Sequence, residues 1–378
     1  MTEATQRPLS GLWKPTHLQR LHYGPSIVST HLLSCLPTPT SKAFIITGTS
    51  LATKTSLIKQ VEDLLGDKHH AGTFSSIKQH APVAQLDEAT DAVAQDPTID
   101  TLISIGGGSP IDSAKAISYR THEKSGHYLH HIAIPTTLSA AECTFNAGYT
   151  APSGRKVSVA APACAPHAIL YDATFAAATP PRLWLSTGIR ALDHAVELLY
   201  HPTATEVPAR QMCLMAIEAL YMYLPQSRRE PGNEEVRTRL QLAAFASLYP
   251  LGTNVKGGLG LSHALGYALG SPYGIPHGIT SCVTLAGVVR LKAGEAACAG
   301  QLARALPFVG GRRSGDDGVD AGRLADAVEG LVGELGLETR LGEYGVGEEE
   351  AGKIAGMAVG REEGDLYERV VGLVRSKF

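Results

Sequence analysis

No two of the six cysteines (Cys35, Cys143, Cys164, Cys213, Cys282, Cys298) are spaced as CxxC. In a chain this long, that excludes a disulfide framework and a zinc knuckle and implies reduced, mostly buried thiols. No apolar run approaches the ~18 residues of a membrane-spanning helix. The stretch Met1–Arg20, with Pro8, Gly11, Lys14 and Pro15, lacks the apolar core of a secretory signal. A cytoplasmic protein with no membrane partner is expected. Long basic runs are missing too, and 33 Lys+Arg against 36 Asp+Glu give a net charge of −3. Nucleic-acid binding therefore has no electrostatic footprint. The low hydrophobicity and high net charge of a disordered chain are likewise absent, with 44% hydrophobic and 18% charged residues. What remains is a globular protein of 378 residues, enough for about two or three domains.

From about residue 20 to 160, short apolar runs alternate with helical patterns. The runs are Ala43–Thr47, Asp100–Ile105 and Leu129–Ile134, and Leu51, Leu57, Ile58, Val61, Leu64 and Leu65 fall near helical spacing. Strands separated by helices imply a parallel, doubly wound sheet, because parallel strands need long crossovers. Beyond about 180, apolar residues recur at three and four through Leu183–Tyr200, Ala209–Leu224, Glu234–Tyr249, Leu259–Leu269 and Ile279–Leu291. Pro202, Pro225, Pro250 and Pro276 mark the breaks. The expected organisation is an α/β dinucleotide-binding domain over 1–165 and an all-α catalytic domain over 166–378. The tail from 301 carries 16 of the 40 glycines, which weakens helices there, and Val309–Gly322 reads as a solvent loop.

The sequence has no GxGxxG. It has Gly106-Gly107-Gly108-Ser109-Pro110-Ile111-Asp112-Ser113-Ala114-Lys115, leaving a predicted strand and opening a predicted helix. Glycines admit a ligand close to the backbone, and the free N–H groups of a helix start attract anions. Pro110 suits a first helical turn and Ser109 an N-cap. The stretch reads as a pyrophosphate cradle, or as a tight turn before a capped helix.

These residues resemble the GGGSxxDxAK signature of the iron-containing (group III) alcohol dehydrogenase superfamily. Ile134–Ser139 (IPTTLS) is similar to its IPTT segment, Gly188–Glu197 (GIRALDHAVE) to its GxDAxxHAxE helix, and Gly258–His277 to its GLGxxHA…PHG stretch. GELGLETRLGEYGVGEEE also matches a family pattern near the C-terminus. The resemblance implies a dehydroquinate synthase-like fold, with a nucleotide-binding α/β domain, a helical domain and a cleft between them. It implies that Gly107, Gly108, Ser109 and Asp112 face the cofactor pyrophosphate, that Thr136, Thr137 and Ser139 touch the phosphate and nicotinamide, and that Lys156 lies near the nicotinamide ribose. Gly48, Thr49 and Ser50 follow the first strand, where the family meets the adenosine ribose. An acidic residue there would repel a 2′-phosphate. Gly48 at that position permits NADPH as well as NADH.

Family members that bind iron or zinc use one Asp and three His, and His194, His263 and His277 occupy the three histidine positions. Arg190 stands where the Asp is expected. A guanidinium has no lone pair for a metal and adds positive charge beside it. Asp193 points about 100° away around the helix from its neighbour His194. The expectation is that no metal is favoured, with the three histidines as ligands if one binds. Tyr267 replaces a further family histidine and can donate a hydrogen bond or a proton. Arg followed by Asp-His in this helix resembles the maleylacetate reductase branch, although the LHHK-like string of that branch is replaced by Gly260–Leu265.

Together these readings predict an NAD(P)H-dependent reductase acting on an activated C=C or C=O, with a small substrate able to carry a carboxylate. Arg190, His194, His263, Tyr267 and His277 are its candidate catalytic residues, and a homodimer is expected. Two alternatives stay open: an iron- or zinc-dependent alcohol or aldehyde dehydrogenase, and a diverted biosynthetic enzyme of the same fold acting on a larger substrate.

Overall fold

A computed structural model describes residues 17–78, 83–150 and 156–378. Its strands are β1 (Arg20–Gly24), β2 (Lys42–Thr47), β3 (His70–Phe74), β4 (Ile99–Gly106), β5 (His130–Pro135), β6 (Asn146–Thr150), β7 (Lys156–Ala160) and β8 (Ala168–Asp172). Among them lie α1 (Ile27–His31), α2 (Thr49–Lys54), α3 (Leu57–His69), α4 (Val83–Ala94) and α5 (Gly108–Ser125). After β8 the chain is helical: α6 (Ala173–Ala176), α7 (Pro181–Leu199), α8 (Gln211–Arg229), α9 (Glu234–Leu248), α10 (Leu261–Tyr273) and α11 (His277–Ala293). It ends with α12 (Ala296–Ala303), α13 (Asp317–Glu334), α14 (Ala351–Val359) and α15 (Asp365–Arg375). No helix among the described residues is long and apolar enough to cross a membrane.

Six strands form one parallel sheet in the order β1-β8-β5-β4-β2-β3, and β6 and β7 pair as a separate antiparallel hairpin. The sheet is apolar on both sides, with Ile103, Ile105, Ile132 and Ile134 in one core cluster and Phe44, Ile46 and Leu102 in another, because helices cover both faces. The winding reverses between β2 and β4. From β2 the chain crosses to β3 on one side, then returns to β4 on the other. In such sheets ligands bind outside the carboxyl ends of the strands at this reversal.

In the helical half, α7 runs through the centre, with every residue from Trp184 to Leu199 buried. Leu192, Val196, Leu220, Leu240, Leu285 and Val289 belong to one core around it. The two halves meet where Leu242 and Phe245 of α9 pack on Ala133, Ile169 and Tyr171 of the sheet.

Several details differ from the sequence reading. β8 belongs to the sheet, so the α/β layer runs past residue 165 to Asp172. Helix α8 continues through Pro225, which is buried in the core. Helix α5 begins at Gly108 with Gly107 as its N-cap, so Ser109 lies inside the first turn. The expected solvent loop Val309–Gly322 is shorter, because α13 starts at Asp317 and Asp320 ties down the residues before it. The glycine-rich tail keeps its helices because Gly310, Gly336, Gly345 and Gly360 sit at element ends with φ of +84, +66, +72 and +75°.

Candidate active site

Three adjacent strands bring the turns expected to meet the nucleotide to one edge of the sheet. Thr47 pairs with Ile105, and Gly106 with Pro135, so Gly48, Gly107 and Thr136 leave the sheet at one level. Gly106 has a φ of +141°, which turns the chain into α5. Gly107 offers no capping side chain, so the first N–H groups of this helix are free for an anion. A Cβ on Gly107 would lie 3.1 Å from the Thr137 methyl, and one on Gly108 3.5 Å from Ser139 Oγ. The glycines therefore let the 136–139 turn close onto the helix start.

That turn is clamped on several sides. Thr136 N donates to Gly106 O at 2.9 Å, and Thr179 Oγ1 to Thr136 O at 2.6 Å. Leu138 N donates to Thr187 Oγ1 of α7 at 3.1 Å, and Gln241 Nε2 of α9 to Pro135 O at 3.3 Å. Beneath it, the fully buried Lys115 donates to Asp112 Oδ1, Ala141 O and Asn146 O at 3.1, 2.6 and 2.8 Å. Asp112 is thus partly engaged by the protein itself. Thr49 and Ser50 are exposed on the other bank, and the side chain of Lys156 lies outside the described residues.

The helical half contributes a buried polar cluster. Arg190, Asp193, His194 and Glu197 project from α7, His263 and Ser262 from α10, and Ser281 and Thr284 from α11. Arg190 Nη1 donates to Ser281 Oγ at 3.1 Å and lies 3.9 Å from Asp193 Oδ2. That oxygen also accepts from Ser281 Oγ at 2.6 Å and Ser262 Oγ at 2.8 Å. Glu197 Oε2 accepts from His263 Nδ1 at 2.7 Å, and Glu197 Oε1 from Ser262 N at 2.6 Å. The His194 and His263 rings are 4.8 Å apart. His194 Nδ1 and His263 Nε2 are both buried and bear no hydrogen bond among the described residues.

These surroundings split the two imidazoles. Burial, then the charges of His263 and Arg190, push His194 well below the ordinary histidine range, so it is neutral at pH 7. Burial and Arg190 also oppose a charge on His263, yet Asp193 and Glu197 outweigh them and raise its pKa. Burial would raise the Asp193 carboxyl, but His263, Arg190 and Ser281 hold it below its usual value. The cluster thus brings a fixed guanidinium and an imidazole of raised pKa together with two carboxylates.

Of the candidate catalytic residues, Arg190, His194 and His263 share this cluster. Tyr267 and His277 form a second group, with rings edge-on at 6.2 Å and Tyr267 49% exposed. Sequence reasoning passed over Glu197, Ser262, Ser281 and Lys115 as site residues. The available signal was Asp193 and Glu197 one turn apart on a strongly apolar helix, beside Arg190 and His194, because charged residues in a buried helix are paired. One ligand atom each from Asp193, Glu197 and His263 lies within 4.8 Å of the others, a spacing that a metal ion could use.

A glycine-opened helix start at the carboxyl edge of a parallel sheet and a buried polar cluster in the helical half that packs on it fit a two-domain oxidoreductase, and comparison with known proteins agrees. Residues 19–173 match the iron-containing alcohol dehydrogenase family, and residues 184–368 match the C-terminal part of the Fe-containing alcohol dehydrogenase family. The chain belongs to this family. Maleylacetate reductase from Rhizobium sp. (strain MTP-10005) is 30% identical over 288 residues, which cover 76% of this chain and 75% of the relative. Maleylacetate reductase 2 from Cupriavidus pinatubonensis is 32% identical over 209 residues. That match covers 55% of each chain, about half the relative's length. The fold is shared with the crystal structure of maleylacetate reductase from Agrobacterium tumefaciens, with TM-score 0.79, 24% identity and 99% of both chains covered. It is also shared with alcohol dehydrogenase from Oenococcus oeni, with TM-score 0.86, 20% identity and 97% and 100% covered. Enzymes with these names are oxidoreductases.

Proposed function

We propose that the chain is an NAD(P)H-dependent reductase, similar to maleylacetate reductases, acting on a small carboxylate-bearing substrate with an activated C=C or C=O. The observation that carries this reading is the buried Arg190 guanidinium, held by Ser281 beside two imidazoles where the family resemblance puts a carboxylate ligand. The cradle of Gly107, Gly108 and Ser109 would take the pyrophosphate, and the 136–139 turn the nicotinamide side. Gly48 leaves room for a 2′-phosphate on the ribose. Held there, a reduced nicotinamide would supply a hydride to the electron-poor carbon of the substrate. The charge displaced onto the substrate oxygen meets Arg190 and His263, donors worth far more in a closed site than in water. A proton from His263 or Tyr267 completes the reduction.

Arg190, in place of the family's carboxylate ligand, argues against the ion of the family's name. Asp193 Oδ2 and both Glu197 oxygens already accept protons from Ser262, Ser281 and His263. Arg190 lies 3.9 Å from Asp193 and adds positive charge where a cation would sit. The test couples elemental analysis to rates of NADH and NADPH oxidation with unsaturated keto-dicarboxylates and with simple aldehydes. The expected outcome is turnover of the dicarboxylates that survives chelation, with far less than one metal ion per chain. One tightly held iron or zinc, with activity lost on chelation, would replace this reading with a metal-dependent alcohol dehydrogenase. The spacing of Asp193, Glu197 and His263 is the observation favouring that outcome.

A further inference from the structure

Glu197 is fully buried near the end of α7 and makes its contacts with the start of α10. Oε1 accepts from the backbone N–H of Ser262 at 2.6 Å and from Tyr200 OH at 3.3 Å. Oε2 accepts from His263 Nδ1 at 2.7 Å. The approach is tight enough that a Cβ on Gly260 would lie 2.7 Å from Oε1 and push the carboxylate aside. One carboxylate thereby satisfies an open N–H of a helix start and grips the imidazole one residue further on.

We propose that Glu197 is a positioning residue for His263, resting on the reductase reading above. By accepting from Nδ1 it keeps a proton on that nitrogen and turns Nε2 toward the reacting group. Any proton gained or lost then passes through Nε2. The geometry supports this: His263 Nε2 and His194 Nδ1 are both buried and without a hydrogen bond among the described residues, on rings 4.8 Å apart. A substrate oxygen placed between them would find both. A carboxylate behind an imidazole fixes ring orientation and tautomer without touching substrate. The rival account is that Glu197 only caps α10.

Glu197→Gln separates the two. A carboxylate can accept from Ser262 N and His263 Nδ1 together, whereas an amide has one acceptor and one donor end and must oppose one of those groups. With the amide oxygen on Ser262 N, its NH2 faces Nδ1 and drives the proton to Nε2. Positioning predicts that kcat falls about 10–100-fold, while the nucleotide dissociation constant and the nucleotide KM stay within twofold. Selective 15N-histidine labelling should show the His263 nitrogens exchanging tautomer, and Glu197→Asp should recover part of kcat. Tyr200→Phe removes a contact to Oε1 and leaves the imidazole alone, so it should keep kcat. Wild-type kcat in Glu197→Gln, with unchanged nitrogen shifts and a lowered melting temperature, would overturn the proposal. Should Glu197→Gln not fold, Glu197→Asp carries the same comparison against Tyr200→Phe. If no substrate is turned over at all, the reductase reading fails, and the nitrogen shifts still decide what Glu197 does.

Discussion

At the scale of single residues, Arg190 is the most informative position because its charge is spent inside the protein. Arg190→Met removes the fork but keeps most of the apolar stem. Asp193 then loses one of its compensating cations, and stability should fall by up to about 3 kcal/mol. Turnover should fall roughly 10²-fold or more through loss of the oxyanion partner, while nucleotide binding measured by fluorescence stays near wild type. A subtler variant moves the guanidinium without deleting it. A Cβ on Gly266 would lie 3.1 Å from Arg190 Nη1 and 3.0 Å from Thr280 Oγ1. Gly266→Ala should therefore lower kcat with little change in melting temperature, and an unchanged kcat would mean the guanidinium has slack. The residue types of this site were legible in GIRALDHAVE, but their partners were not. Ser262 and Ser281 lie 69 and 88 residues from Asp193, and serines on helices carry no periodic signal of what they touch.

At the scale of elements, α5 and α13 show how far periodicity reaches. GGGSPIDSAK exposed both the strand end and the helix start, because glycine and proline act through local backbone geometry. It did not expose the work of Lys115, whose ammonium ties α5 to the 141–146 segment through contacts 26 and 31 residues away. Lys115→Met keeps the apolar stem and strands two carbonyls. It should cost about 1–3 kcal/mol, and equilibrium binding should show a weaker nucleotide complex as the cradle loosens. Helix α13 was hidden for the opposite reason: glycines and charges before it read as loop. Asp320 is what orders that stretch. Burial alone would raise its pKa, yet bonds from Ser314 and Arg313 hold it at about 2. A depressed carboxyl contributes stability above its unfolded pKa of ~3.9 and loses it as the pH falls through the folded value. Asp320→Asn should therefore melt earlier than wild type at pH 7. The gap should narrow from about pH 4 toward pH 2 in thermal melts across that range.

At the scale of the whole molecule, the reaction requires two independently wound halves to meet in register. On the proposed reading the nucleotide side hangs from strand ends and the proton donors His263 and Tyr267 from α10, which packs on α7 and α11, so hydride and proton reach one substrate only if the seam is rigid. Apolar contact across it, Leu242 and Phe245 on Ala133, Ile169 and Tyr171, holds the halves together but fixes no orientation. Direction comes from polar links such as Gln241 to Pro135 O, Leu138 N to Thr187 and Thr179 to Thr136 O. The order of the halves was legible because period changes near residue 180, whereas the seam was not, since these links join residues far apart in sequence. Thr187→Val is the cleanest probe: it keeps shape, deletes the acceptor, and leaves the Leu138 N–H buried and unpaired at a cost of about 1–3 kcal/mol. Because Thr187 Oγ1 bonds Leu138 N and the Leu183 and Trp184 carbonyls, a purely local role predicts a change in stability alone. A seam that sets the approach of hydride to substrate predicts lower kcat together with a higher nucleotide KM, since the same turn serves both. Steady-state kinetics with the nucleotide varied, set beside melting curves, distinguishes the two, and kinetics unchanged in a less stable protein would assign orientation to the apolar contact instead.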